Sequence, residues 1–172
     1  MPTIAFDRAS ATYSGRQILK PTTLTLTEKR IGIIGENGGG KSTLVRLING
    51  LGPVTGGTVT YEGMNVAKQA KAIRKNVGFI FSDADNQIVM PTVAEDIAFS
   101  LRKRKLPKDE RNQLVQEALE RFGLADHADA SPHLLSGGQK QLLALAAVLI
   151  LNPTTIIALS LIHISEPTRQ VR

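Results

Sequence analysis

An α/β fold, with a mixed sheet built around one glycine-rich loop, is what this sequence predicts, and three observations predict it. Short apolar runs of strand length alternate with amphipathic stretches of helical period. One of these runs, Ile31-Gly32-Ile33-Ile34, opens directly onto a glycine-rich turn and then onto a helix-forming stretch. Near the N-terminus the pattern becomes a polar–apolar alternation, Thr22-Thr23-Leu24-Thr25-Leu26-Thr27, as a half-buried antiparallel strand requires.

The elements follow in order. Residues 3–7 and 22–28 read as two strands joined through a turn near Ser14-Gly15. Tyr13, between them, is either a loop aromatic packed on the sheet or a flat stacking surface. Ile31, Ile33 and Ile34 read as a short buried strand. Gly35, Glu36, Asn37, Gly38, Gly39, Gly40, Lys41, Ser42 and Thr43 then give the pattern G-x-x-x-x-G-K-[ST]. Wrapping a polyphosphate closely with backbone N–H groups demands glycine at the tight positions. Lys41 brings a point charge to the β- and γ-phosphates, and the Ser42 hydroxyl can ligate Mg²⁺. A helix from about Lys41 to Asn49 points its positive end at the same place, and Gly50 is placed to end it. Gly39 stands where serine is usual; the backbone donor survives, in a loop expected to be more flexible.

Thr58–Tyr61 reads as a strand with a turn at Glu62-Gly63, residues 67–75 as a basic, weakly amphipathic segment, and Val77–Phe81 as another buried strand. A polar loop, Ser82–Asn86, follows. Thr92 and Glu95 have the spacing of a capping box for a helix to about Arg104, with Val93, Ile97 and Leu101 on one face. Pro107 breaks that helix. A second helix begins near Asp109, with Leu114, Ala118, Leu119 and Phe122 inward and Gly123 at its end. Residues 92–135 therefore read as a helical insertion. Leu135-Ser136-Gly137-Gly138-Gln139-Lys140-Gln141 opens a very apolar third helix to Leu151, with Ser136 as N-cap. Its two glycines expose the first amides, which makes a second anion-binding helix start. Asn152-Pro153 ends the helix, and Thr155–Ala158 begins a further strand.

Composition narrows the function classes. With 172 residues, 42% hydrophobic and 21% charged, the chain has the make-up of one soluble globular domain. It has no cysteine, which excludes disulfides and thiolate metal sites. The net charge is +6, much of it in the run Arg102-Lys103-Arg104-Lys105. Aromatic residues are only 4% and none forms a stacking platform beside that run, so no nucleic-acid partner is expected. The N-terminus is not a signal peptide, and the longest apolar run, Leu142–Leu151, is too short to span a bilayer.

A phosphate loop followed about a hundred residues later by Leu135-Ser136-Gly137-Gly138-Gln139 resembles the ATP-binding subunits of ABC transporters, a branch of the P-loop NTPases. The resemblance covers roughly residues 3–158. Val77–Val89 and Pro91–Phe99 are most similar to the ATPases of energy-coupling-factor importers of the cobalt and biotin type. The resemblance implies ATP and Mg²⁺ as cofactors. It implies head-to-tail pairing with a second ABC ATPase, identical or related, whose Ser136, Gly137, Gly138 and Gln139 close over ATP held at Gly35–Thr43. It implies that Tyr13 stacks on adenine, and that a transmembrane coupling subunit is received near residues 82–100, at the cytoplasmic face of the membrane. A non-transporter ABC ATPase, of the DNA-repair or translation type, is the alternative.

Two positions depart from the family pattern. The glutamine expected after the Phe81 strand, which senses Mg²⁺ and water, is Ser82, whose hydroxyl can ligate or hydrogen-bond but reaches less far; Gln87 could take over part of the role. The Asp and Glu expected to hold the Mg²⁺ shell and activate water fall on Leu159 and Ser160, which have no carboxylate. Ser165-Glu166-Pro167-Thr168 imitates the missing motif but comes too late, and His163 is no substitute for the family's switch histidine. Leu159–Arg169 closely resembles the translation of a common sequencing-library adapter. The expectation is an ABC domain over 1–158, incomplete at its C-terminal end, with 159–172 a non-native tail and no hydrolysis.

Overall fold

The structure is a computed structural model and describes residues 2–159. They form two compact units, one up to Val77 and one from Gly78 on.

In the first unit, β1 (Ile4–Tyr13) and β2 (Arg16–Leu26) make a long antiparallel hairpin with Tyr13 opposite Arg16 and Ile4 opposite Leu26. Its two turn residues, Ser14 (φ 48°) and Gly15 (φ 77°), are both left-handed. That geometry matches the twist of the flanking strands, so a two-residue turn joins them directly. The same device recurs at Glu62-Gly63, between β3 (Gly56–Tyr61) and β4 (Met64–Asn65). The sheet order is β2-β1-β3-β4. Two helices belong to this unit, α1 (Lys41–Ile48) and α2 (Val66–Ile73). The basic segment expected at 67–75 is thus a helix, capped by Asn65, whose side chain accepts from the Lys68 amide at 3.3 Å. Phe6, Leu47, Val59, Tyr61, Val66 and Ile73 are all fully buried.

One strand reading fails. No strand is present at 31–34, and the isoleucines there are exposed, Ile34 by 96%. A strand needs a neighbour to take up its backbone hydrogen bonds. In this unit the sheet places β2 and β4 at its edges, and no described strand is hydrogen-bonded to 31–34. Apolar composition alone does not make the element.

The second unit holds all but the first residue of β5 (Val77–Ile80), hydrogen-bonded to β6 (Thr155–Ala158), together with α3 (Val93–Ser100), α4 (Lys108–Arg121) and α5 (Gly137–Leu149). Val93, Ile97 and Leu101, the expected inner face, are wholly buried and pack with Val115, Leu119, Leu124 and Leu143 in one core. On α4 the buried positions are Val115, Ala118 and Leu119, while Leu114 and Phe122 are only partly covered. Helix α3 stops at Ser100 and continues as a 3-10 turn over 101–103. Its cap differs from the expected box. The Glu95 amide donates to Thr92 Oγ1 at 3.3 Å, but the Glu95 carboxylate takes the Thr92 hydroxyl (3.0 Å), not the Thr92 amide. Gly78 brings β5 against α5 so closely that a Cβ there would lie 2.5 Å from Val148 Cγ1. The basic run is anchored locally: Arg102 lies 3.6 Å over the Phe99 ring, and Arg104 donates to the Leu151 carbonyl.

Candidate nucleotide-binding site

The phosphate loop joins the Ile31–Ile34 segment to α1. Gly40 forms the N-cap of α1 at φ 82°, ψ 5°, with no side-chain cap. It is buried, and a Cβ there would come within 2.9 Å of the Ile18 carbonyl oxygen on β2. Gly40 therefore has two independent reasons to be glycine, left-handed backbone and contact with β2. Gly38 shares the left-handed conformation (φ 82°). The Gly39 amide donates to the Glu36 carbonyl at 3.1 Å and tightens the loop. A Cβ on Gly39 would sit only 3.1 Å from that same oxygen. Lys41 crosses the loop and donates from Nζ to the carbonyls of Gly35 and Glu36, both at 2.7 Å. Ser42 and residues Gly35–Gly39 are exposed. A cation, uncapped helix amides and a hydroxyl thus converge on a solvent-open loop, which is the donor set a polyphosphate requires. Tyr13, 40% exposed at the end of β1, turns its hydroxyl toward Gly52, just beyond α1.

In the second unit, Ser136 caps α5 with a complete capping box. The Gln139 amide donates to Ser136 Oγ (3.3 Å), and the Ser136 amide donates to Gln139 Oε1 (2.9 Å). Gln139 Nε2 also lies 2.9 Å from His127 Nε2. Gly137 and Gly138 are exposed, and a Cβ added to either meets nothing within 4 Å.

Side chains of α5 tie it to the segment after β5. Lys140 pairs with Asp85 at 2.8 Å, and Gln141 Nε2 donates to the Ser82 carbonyl at 2.9 Å. Gln87 spans the same gap: its Oε1 accepts from the Phe81 amide (3.2 Å) and its Nε2 donates to the Ala144 carbonyl (3.1 Å). Both ends of that amide are engaged inside the unit. Asp96, buried on α3, accepts from the amides of Val89 (2.8 Å) and Met90 (3.0 Å) and so sets the course of the segment above it. Beside these residues is a cavity of about 550 Å³ lined by Asp85, Ile88, Met90, Pro132, His133 and Lys140.

Leu159, where the pattern asks for Asp, directly follows β6, and its amide donates to the Ile80 carbonyl at 2.9 Å. Ser160, His163 and the rest of the tail lie outside the described residues. Among the described residues no group of three or more His, Cys, Asp or Glu is placed to hold a metal ion. Sequence reasoning missed Asp96 and His127. Asp96 had a readable signal, since one carboxylate falls on the apolar face between Val93 and Ile97; His127 had none.

The family model described as ABC transporter matches residues 19–158. The chain belongs to the ABC transporter ATP-binding family. It is 45% identical over 157 residues to a putative ABC transporter ATP-binding protein of Bartonella quintana, covering 91% of this chain and 70% of that protein. It is 44% identical over 168 residues to the biotin transport ATP-binding protein BioM of Rhizobium etli, covering 98% of this chain and 72% of the relative. Among solved structures, cbiO1 from Clostridium perfringens, described as part of the ABC transporter complex cbiONQ, superposes with a TM-score of 0.76 at 32% identity. That match covers 90% of this chain and 64% of the cbiO1 chain, so this chain spans less than two thirds of that structure.

Proposed function

We propose that this chain is the ATP-binding part of an energy-coupling-factor type importer for a vitamin or metal ion. The observation that carries the reading is the loop at Gly35–Thr43, closed by left-handed Gly40 against β2 and spanned by Lys41. Relatives named as biotin transport and energy-coupling-factor ATP-binding proteins support the transporter class. The Lys41 ammonium and the α1 amides would bind the phosphates, Ser42 would take Mg²⁺ together with the nucleotide's own oxygens, and Tyr13 would stack on adenine. Bound Mg²⁺ supplies charge neutralisation at the phosphates. The exposed Ser136–Gln139 turn would close on nucleotide held by a second ATPase, and open space above Gly137 and Gly138 is what such an approach needs. The cavity beside Asp85–Met90 would receive a coupling helix of a transmembrane subunit. No helix among the described residues is long and apolar enough to cross a membrane, so attachment at the cytoplasmic face would run through that partner.

Binding and turnover separate on this reading. Leu159 offers no oxygen, and a serine at 160 is a poor base at neutral pH, so hydrolysis would fall by roughly 10²–10⁴-fold for the missing base alone. On the same reading, residues 159–172 are foreign to the domain; an independent read of the gene across codon 158 that continues with Leu159-Ser160 would overturn that. The binding test is titration with a fluorescent ATP analogue and Mg²⁺. Binding should be saturable, and Lys41→Ala should weaken it about 10–100-fold, as loss of a charge-assisted contact does. Saturable binding unchanged in Lys41→Ala would reject the site. Steady ATP turnover by the 172-residue chain, abolished by Lys41→Ala, would reject the inactive reading.

A further inference from the structure

We propose that His127 is a positioning residue for Gln139, holding the start of α5 through a hydrogen bond that exists only while the imidazole is neutral. The argument is one of donor and acceptor counting. The Ser136 amide has a single hydrogen and donates it to Gln139 Oε1 at 2.9 Å. That contact fixes which end of the Gln139 amide is oxygen, so the end facing His127, 2.9 Å away, is the NH₂ group. An NH₂ group can only donate. His127 Nε2 must therefore offer a lone pair, and the ring proton sits on Nδ1.

The ring is well placed for this role. His127 closes the 3-10 turn Ala125–His127; its amide donates to the Leu124 carbonyl at 3.0 Å, and its own carbonyl accepts from the Ala130 amide at 2.9 Å. Helix α3 clamps the following residues, with the amides of Val93 and Ala94 donating to the carbonyls of Ala130 and Ala128. The titratable groups on the elements around the ring are largely committed elsewhere. Lys140 on α5 pairs with Asp85, Glu95 on α3 takes the Thr92 hydroxyl, and Asp96 takes two amides. Asp126 and Asp129 flank the turn and are exposed, as is His133 ahead of α5. Among the described residues no ion pair involves His127.

Protonation puts an Nε2–H against the Gln139 NH₂, two donors with no acceptor between them. Rotating the Gln139 amide to relieve this would turn its NH₂ on the Ser136 amide and break the capping box. Acid therefore releases either the His127 contact or the cap, and both loosen Ser136–Gln139. The meaning of this loosening for closure over nucleotide rests on the function proposed above; the hydrogen bond itself does not, and the test reads it without nucleotide.

The test uses the full 172-residue chain, labelled with ¹⁵N, from pH 8 to pH 5. Long-range imidazole ¹H–¹⁵N correlations should give the Nδ1–H tautomer for His127 at pH 8. The Ser136 amide and the Gln139 side-chain NH₂ should shift with the same midpoint as the ring, and exchange of the Ser136 amide, corrected for intrinsic pH dependence, should rise about fivefold on protonation. His127→Gln, whose side-chain oxygen accepts at every pH, should keep the alkaline-form protection and abolish the titration of Ser136. An Nε2–H tautomer at pH 8, a Ser136 amide that ignores the His127 titration, or a His127→Gln chain that titrates like the parent would each overturn the proposal. The tautomer is read on the unmodified chain, so a variant that fails to fold leaves the test intact. Loss of nucleotide binding with the tautomer and titration intact would count against the nucleotide reading alone.

Discussion

Two helices in this chain begin at glycine-rich turns, and they hold those turns by opposite means. Helix α1 has no side-chain cap; its N-cap is Gly40, left-handed and pressed against the Ile18 carbonyl. Helix α5 carries a full capping box from Ser136 and Gln139, and its glycines touch nothing within 4 Å of where a Cβ would be. At α1 the glycine is demanded from inside the unit, and the N-terminal amides have no protein side chain on them. At α5 the inside demands only the cap, and the glycines are surplus to the unit's own packing. On the proposed function, the first turn would wrap a ligand and the second would be approached.

Gly40→Ala should break the comparison hardest. A left-handed alanine costs about 1–2 kcal/mol, and the 2.9 Å approach to Ile18 adds to it. The expected loss is about 2–3 kcal/mol by urea denaturation, with nucleotide binding lost as the loop shifts. A variant as stable as the parent would mean that the loop does not depend on Gly40.

Ser136→Ala comes next. It removes the acceptor of the Gln139 amide at 3.3 Å and should cost about 1 kcal/mol. Because Gln139 Oε1 still accepts from the backbone amide of residue 136, half the box survives. Amide exchange should quicken at Gln139 more than at residue 136; equal acceleration at both would mean that the two halves of the box are not separable.

The same contrast explains what was readable in advance. Ser14-Gly15 and Glu62-Gly63 are local signals: two residues with the right backbone freedom close a hairpin whatever surrounds them. The α3 face Val93, Ile97 and Leu101 was legible because a helix satisfies its own backbone and needs only a core to cover one side. The glycine turn before α1 and the Ser136 cap were legible for the same reason, since cap and turn chemistry is written within a few residues. Ile31–Ile34 misled because a strand is a statement about two segments, and only one of them is in that pattern. Gln87, Gln141 and Asp96 were unreadable as links because each joins residues that only the fold brings together.

The smallest expected effect is the most discriminating. Gly138→Ala places a better helix former in the first turn of α5, at ordinary helical backbone and with open space around the new methyl. Relative to glycine, alanine gains up to about 1 kcal/mol inside a helix and less in its first turn, so the isolated chain should be equally stable or more stable by up to about 0.5 kcal/mol. If glycine is kept there for an approaching nucleotide, the same variant should weaken Mg²⁺–ATP-dependent pairing of two ATPase chains, read by sedimentation, while leaving the single chain's affinity for ATP unchanged. A destabilised Gly138→Ala chain would show that the unit itself needs the glycine, and the distinction between a turn that wraps and a turn that is approached would fall. A chain made more stable that pairs as well as the parent would leave the wrapping turn in place and remove the reason for the second.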